Sequence, residues 1–354
     1  MAVCHTIRTK EGISSFLLPS ENGDEYVTAF KYDNNKVEVH SLKKECAPLY
    51  LEEHTSVNIL SNESFTALLV AVTQNVTTSC LDIRLWDVAS AHGFTPKDIH
   101  LKVEYKKEGK FRCTYDVQKV LKEELTHHIV ATYGALMCLI LNGKYCILMK
   151  ARKNDLGVIS FDVKTSFLLT DISNVTDVLF LNEQQKTYLV LAEGCNVNIM
   201  HVDDDGLTPI HVLTVPMKRS KGTAISRLHK LTCSKCFVID DVGHLSLLCV
   251  PNMITPLKFP STVGGHGICA IVGFKHTSEG MLAICNNEYT INIYSLADIL
   301  CSVTNSCNVK PHRALCSQFP INSLTFVRSD QLAMASTVNQ SITFWGGFSS
   351  IYNT

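Results

Sequence analysis

Leu81-Asp82-Ile83-Arg84-Leu85-Trp86-Asp87-Val88 is the stretch whose reading decides the fold. Its residues alternate, so that on an extended chain Ile83, Leu85 and Asp87 share one face while Arg84 and Trp86 share the other. Ahead of it stands Ala67-Leu68-Leu69-Val70-Ala71-Val72, a continuous apolar run of strand-forming residues. Together they make a unit: a β-rich run, a polar turn, then an alternating run that closes on an aromatic or aliphatic side chain.

The unit recurs along the chain. Val37 to Leu42 follows the turn Asp33-Asn34-Asn35, and Gly157 to Val163 follows Lys153-Asn154-Asp155. Val197 to Val202 follows Glu193-Gly194-Cys195-Asn196, and His244 to Val250 follows Asp240-Asp241-Val242-Gly243. Ile291 to Leu296 follows Asn286-Asn287-Glu288, and Ile342 to Gly346 follows Asn339-Gln340. Asn, Asp and Gly in these turns supply the positive φ that tight hairpins require. Most copies lie roughly 40 to 50 residues apart, the period of a four-stranded propeller blade.

The Trp86-Asp87 pair resembles the WD40 repeat, which ends its third strand on Trp-Asp. A Gly-His pair, Gly265-His266, stands about 28 residues before Tyr294-Ser295, as in that family. Ile268 to Phe274 and Met281 to Cys285 read as the strands between, and Asn287 stands where the family places a structural Asp. The resemblance implies an all-β chain, a single seven-bladed WD40-like β-propeller spanning residues 1–354. Most units lack both dipeptides, so the family's hydrogen-bonded network of Trp, Ser or Thr, His and Asp is not assembled blade by blade. The last unit has room for three strands only. An N-terminal strand over about residues 3–8 is expected to supply the fourth and leave no open sheet edge.

One interval, about 75 residues between the Trp86 and Phe161 units, breaks the period and marks an insertion at about 97–126. There His100 to Tyr105 and Phe111 to Tyr115 flank Lys106 to Lys110 as a hairpin. Asp116 then caps a short helix with Val117, Val120, Leu121 and Leu125 on one stripe. The insert is either an elongated blade or a docking element for a partner.

Apolar residues make up 46% of the chain and charged residues 18%, which describes a large core under a modest surface. A formal net charge of -1 gives no global field toward nucleic acid or acidic membranes. The N-terminus lacks the apolar stretch of a signal peptide. The longest apolar run, Ala135 to Leu141, is about a third of a membrane span. An intracellular protein of the nucleus or cytoplasm, not secreted and not inserted in membrane, is expected. Its fifteen cysteines, several inside apolar runs such as Cys138, Cys146, Cys249, Cys269 and Cys285, then read as reduced core residues.

Motifs that carry chemistry are scarce. Cys233-Ser234-Lys235-Cys236 has metal-knuckle spacing but no second pair, and reads as two turn cysteines. His127-His128 has no partners at ligand spacing. Asp203-Asp204-Asp205-Gly206 lacks the downstream Glu of a calcium loop and reads as a blade-connecting turn. Gly264-Gly265-His266-Gly267 leads into a strand, so it offers phosphate no helix N-terminus. No hydrolase, nucleotide or dinucleotide signature appears. The chain is therefore read as non-enzymatic, with no catalytic residue, metal or cofactor.

Basic clusters remain. Lys106, Lys107, Lys110 and Arg112 lie on the insert; Lys150, Arg152 and Lys153 form a second group; Lys218, Arg219 and Lys221 form a third, on a loop between blades. These are the candidate contacts to a partner or to phosphates. The leading expectation is a scaffold or adaptor subunit that holds other proteins of a multisubunit assembly. The alternative is an accessory subunit binding RNA or tRNA through the basic loops, with affinity that falls as salt rises.

Overall fold

The computed structural model describes residues 2–8, 13–16, 27–32, 36–41, 47–51, 55–62, 65–75, 80–87, 95–97, 104–105, 111–112, 126–153, 159–169, 174–204, 206–215, 224–257, 269–273, 280–287, 289–305, 309–321, 323–328, 331–336 and 340–346. Their strands assemble into seven sheets. β1 (Ala2–Arg8) comes first in the chain and belongs to the last sheet. β2 (Ile13–Phe16), β3 (Val27–Tyr32), β4 (Val37–Ser41) and β5 (Leu49–Leu51) form the first sheet. β6 (Thr55–Asn62), β7 (Phe65–Asn75), β8 (Cys80–Asp87) and β9 (Thr95–Lys97) form the second.

The third sheet has six strands. β12 (His128–Tyr133), β13 (Leu136–Leu141), β14 (Tyr145–Lys153) and β15 (Ile159–Leu168) are its regular four. β10 (Glu104–Tyr105) and β11 (Phe111–Arg112) come from the insert. Glu104 and Tyr105 pair with Arg112 and Phe111 as a hairpin, and Glu104 lies parallel to Asp162 on the outer edge of β15. The expected helix after Asp116 lies outside the described residues.

β16 (Val175–Glu183), β17 (Lys186–Glu193), β18 (Asn196–Val202) and β19 (Leu207–Thr214) make the fourth sheet. β20 (Ile225–Lys230), β21 (Lys235–Asp240), β22 (Leu245–Cys249) and β23 (Met253–Pro256) make the fifth. β24 (Cys269–Gly273), β25 (Gly280–Asn287), β26 (Thr290–Ser295) and β27 (Arg313–Cys316) make the sixth. In the seventh, β28 (Ser323–Arg328), β29 (Gln331–Ser336) and β30 (Ser341–Gly346) take β1 as their outer strand, with Val3 beside Trp345 and Arg8 beside Ser341.

Each sheet packs on the next. In β7, Leu68, Val70 and Val72 join the core shared with the third sheet, while Leu69 and Ala71 face the first. A second strand sandwiched between two neighbouring sheets has no solvent face, so it reads as an unbroken apolar run. The same reason gives Met137 to Leu141, Leu189 to Ala192, Cys236 to Ile239 and Met281 to Cys285. The third strand keeps the alternation read from the sequence: Leu81, Ile83 and Leu85 face the third sheet and Trp86 the first, while Arg84 is exposed. Cores also join third to fourth, fourth to fifth, fifth to sixth and sixth to seventh. β2 lies against β28 and β29, which closes the ring.

Sequence patterning missed one element. α1 (Leu296–Asn305) occupies the connection between β26 and β27. Ser295 caps it, its Oγ accepting from the Asp298 N–H at 3.4 Å, and Leu296 and Ile299 seat it on the fifth and sixth sheets. Asp298 in its first turn meets His312 Nε2 at 2.8 Å.

Candidate interaction surfaces

β2, β6, β12, β16, β20, β24 and β28 are the innermost strands of their sheets, and β6, β12, β16 and β20 follow one another around the axis. Hydrogen bonds lace them together. Asn58 Nδ2 donates to the Val130 carbonyl at 3.2 Å, and Thr132 Oγ1 to the Ile59 carbonyl at 2.7 Å. Thr176 Oγ1 donates to the Ile225 carbonyl at 2.8 Å. Asp177, at a bulge in β16, accepts from the Val178 N–H at 2.8 Å and, across the sheet boundary, from the Leu228 N–H at 2.7 Å. Burial raises its carboxyl above the ordinary value, against the opposing pull of those donors and of Arg227. These residues brace the ring.

His229, on β20, has a buried Nε2 that makes no hydrogen bond. Burial, with Arg227 nearby, pushes its ring down to about 3 from 6.5. The unfolded chain therefore binds this proton more readily below pH 6.5, and acid drains stability from there down to about pH 3. Taking the protein from pH 7 to pH 5 is expected to cost about 2 kcal/mol through this residue. Urea unfolding at both values checks it: His229→Leu should flatten that slope and leave stability at pH 7 equal or slightly higher.

Because strand direction alternates, one rim of the ring carries the turns between second and third strands together with the connections between sheets. Among the described residues, Leu168 at the end of β15, Val242, Tyr289 and Phe319 are large apolar side chains exposed on it. Val242, 48% exposed, sits in the turn between β21 and β22. That turn is held by buried Asp240, whose Oδ1 accepts from the Val242 and His244 N–H groups and whose Oδ2 meets His244 Nδ1 at 2.9 Å. Tyr289, 46% exposed, sits in the turn between β25 and β26. Its carbonyl accepts the Ser317 N–H at 2.8 Å, and Ser317 Oγ in turn donates to the Phe319 carbonyl at 2.7 Å. Phe319 is 37% exposed. Ser317 thus ties the backbone of these two exposed aromatic residues together. Exposed aromatics on rigid turns are what interface cores are built from.

Of the predicted basic contacts, Arg152 lies with Nε 2.7 Å from Asp162 Oδ2, and Lys150 Nζ is 4.0 Å from Asp204 Oδ1. Lys153 ends β14 at the rim opposite to Tyr289. Val215 and Ala224, which flank the cluster of Lys218, Arg219 and Lys221, lie on the Tyr289 rim; the cluster itself lies outside the described residues. Arg112 falls in β11, and Lys106, Lys107 and Lys110 lie outside the described residues. Arg112 of the first group and Lys150 of the second lie in one row across the third sheet, with Glu104 and Asp162 between them.

Other sequence candidates resolve into structure. His128 Nε2 approaches the Val72 carbonyl at 3.1 Å, joining two sheets, and the N–H groups of Thr126 and His127 are held by Asn142 Oδ1. Cys233 is an exposed turn residue as expected, but Cys236 is buried inside β21; burial raises its thiol, with Asp177 and Cys249 adding to the effect. The Asp203 turn joins β18 to β19 within one sheet, a correction to the blade-connecting reading, because Asp203 Oδ1 accepts the Gly206 N–H and folds the chain straight back. Cys138 and Cys146 are free thiols 3.6 Å apart in the core. Among the described residues no group of three or more His, Cys, Asp or Glu could hold a metal ion, and no helix is long and apolar enough to cross a membrane.

No family model and no curated protein sequence matches the chain. Solved structures do. The structure of BBS1N in complex with ARL6DN aligns with a TM-score of 0.57 at 10% identity, over 97% of this chain and 95% of that one. The β-propeller domain of Cps50 (Swd1) from Myceliophteria thermophila aligns with a TM-score of 0.58 at 11% identity, over 97% of this chain and 100% of that one. A chain of the mitotic checkpoint complex aligns with a TM-score of 0.57 at 9% identity, over 98% and 95%. At such identities the likeness speaks for fold alone, and by fold the chain is a β-propeller.

Proposed function

We propose that this propeller is a non-enzymatic scaffold that holds other proteins of a multisubunit assembly, with the Tyr289 rim as a docking face. The observation that carries the reading is the exposed pair Tyr289 and Phe319, fixed by the hydrogen bonds of Ser317. An unrequired aromatic pair in water is a liability, whereas buried in a partner each ring contributes roughly 1 to 3 kcal/mol. Two of the similar structures are of complexes, one with ARL6DN and one of the mitotic checkpoint, which lends support by analogy of fold only. The RNA reading gains nothing from Arg152, which already faces a carboxylate.

The test is affinity purification of the tagged protein from its own cells, wild type beside the double variant Tyr289→Ser and Phe319→Ser. Both residues are exposed, so the variant should unfold within about 0.5 kcal/mol of wild type. It is expected to lose a defined set of co-purifying proteins by roughly tenfold or more. An unchanged set would remove the rim from the reading, and salt-sensitive RNA crosslinked to wild type in place of proteins would replace it with the RNA alternative.

A further inference from the structure

The two aromatic residues of the proposed docking face are linked by one serine, whose hydroxyl makes two bonds to Phe319. Ser317 Oγ donates to the Phe319 carbonyl at 2.7 Å and accepts the Phe319 N–H at 3.1 Å, while the Ser317 N–H reaches the Tyr289 carbonyl at 2.8 Å. A hydroxyl has one hydrogen to give, and here the Phe319 carbonyl takes it. Any group that replaces this hydrogen with acceptor oxygens sets acceptor against acceptor at Phe319.

Ser317 also lies where an enzyme can reach it. It is half-buried, between exposed Cys316 on one side and exposed Gln318 and Phe319 on the other. Ahead of it, Lys310 to Ala314 are exposed. β27 carries the chain extended along the outer edge of the sixth sheet, with no strand covering it among the described residues. From Lys310 to Phe319 there is no Asp or Glu, while Lys310 and Arg313 are cations, so the segment does not repel an approaching polyphosphate.

Resting on the scaffold reading of this rim, we infer that Ser317 is a phosphorylation site and that its modification releases the docked partner. A protein kinase supplies the phosphoryl group from ATP. The bond from Ser317 Oγ to phosphorus forms as the bond from that phosphorus to ADP breaks, and the hydroxyl proton passes to a base of the kinase. The product carries a charge of about −2 near pH 7, and its oxygens accept without donating. The bond to the Phe319 carbonyl is then lost. The new charge also stands where Tyr289 and Phe319 are linked, so an apolar partner surface has to strip water from it in order to bind.

Mass spectrometry of the chain purified from its own cells, with phosphatases blocked, tests the site. Trypsin cutting after Arg313 and Arg328 releases Ala314 to Arg328, which also holds Ser323 and Thr325, so fragmentation must place the phosphate. It is expected on Ser317, and depleted roughly tenfold in chain recovered with partners relative to free chain. A chain with phosphoserine encoded in place of Ser317 should lose the proteins that the Tyr289→Ser and Phe319→Ser variant loses. It should recover them after phosphatase treatment and keep the circular dichroism of the unmodified chain. Absence of phosphate from Ser317 overturns the inference, and so does a phosphoserine chain that retains those proteins; either result leaves the docking face standing. If the Tyr289→Ser and Phe319→Ser variant retains every protein, the docking face falls and this regulation falls with it.

Discussion

Replacing Asp177 by alanine is expected to cost about 3 kcal/mol of folding stability. Its two oxygens take the N–H of Val178 and, in the next sheet, the N–H of Leu228. Alanine leaves both donors without their acceptor, at about 1 to 3 kcal/mol each, and release of a buried charge returns part of that. Asp177→Asn should fall between, because its amide offers one oxygen where the site asks for two. The pH dependence has a definite sign. Burial raises the folded carboxyl above 3.8, so its contribution is full below the unfolded value and is lost as pH rises through the folded one. Asp177 therefore gains stability on acidification where His229 loses it, although they sit on neighbouring strands. Urea unfolding of wild type, Asp177→Ala and Asp177→Asn at pH 7 and near pH 4 reads both effects. A loss under about 1 kcal/mol at pH 7 would mean that water replaces the carboxylate and that Asp177 is not the brace.

Much of the ring is legible in the sequence because two physical constraints leave marks there. A strand sandwiched between sheets must be apolar throughout, and a tight turn must supply positive φ. Leu68 to Val72 and the turn at Gly194 carry those marks without ambiguity. The braces leave none. Asp177 reads as one more polar residue in an alternating strand, and only the bulge that aims it at Leu228 gives it a role. α1 was hidden for a similar reason: Ile291 to Ser295 alternates as a strand should, and its last residue doubles as a helix cap. The surfaces were hardest to see. Lysine and arginine runs attract attention in a sequence, yet Arg152 lies against Asp162. Tyr289 and Phe319 lie thirty positions apart in the chain and are linked through Ser317. Exposure of an apolar residue is a property of the fold, and no local pattern announces it.

The turn glycines allow the seam between sheets to be weighed against backbone strain alone. Gly143, at φ +65, and Gly194, at φ +57, occupy equivalent turns in the third and fourth sheets. Each offers its carbonyl to the first N–H of the following sheet, Gly143 to Val175 at 2.8 Å and Gly194 to Ile225 at 2.7 Å. Alanine at either must accept a left-handed conformation, at about 1 kcal/mol. The two differ in what a methyl group meets. At Gly194 nothing stands within 4 Å, while at Gly143 the new carbon would lie 2.9 Å from Asn174 Cβ and 3.1 Å from the Val175 carbonyl oxygen. The latter atom is backbone of β16, so relief requires the fourth sheet to move away from the third, into a core that is packed on both sides. Gly194→Ala is therefore expected to lose about 1 kcal/mol and Gly143→Ala about 3 kcal/mol. The difference between the two variants, measured by urea unfolding under one set of conditions, isolates the cost of opening the seam. Equal losses would mean that the sheets part without resistance, and the ring would then owe its rigidity to the braces alone.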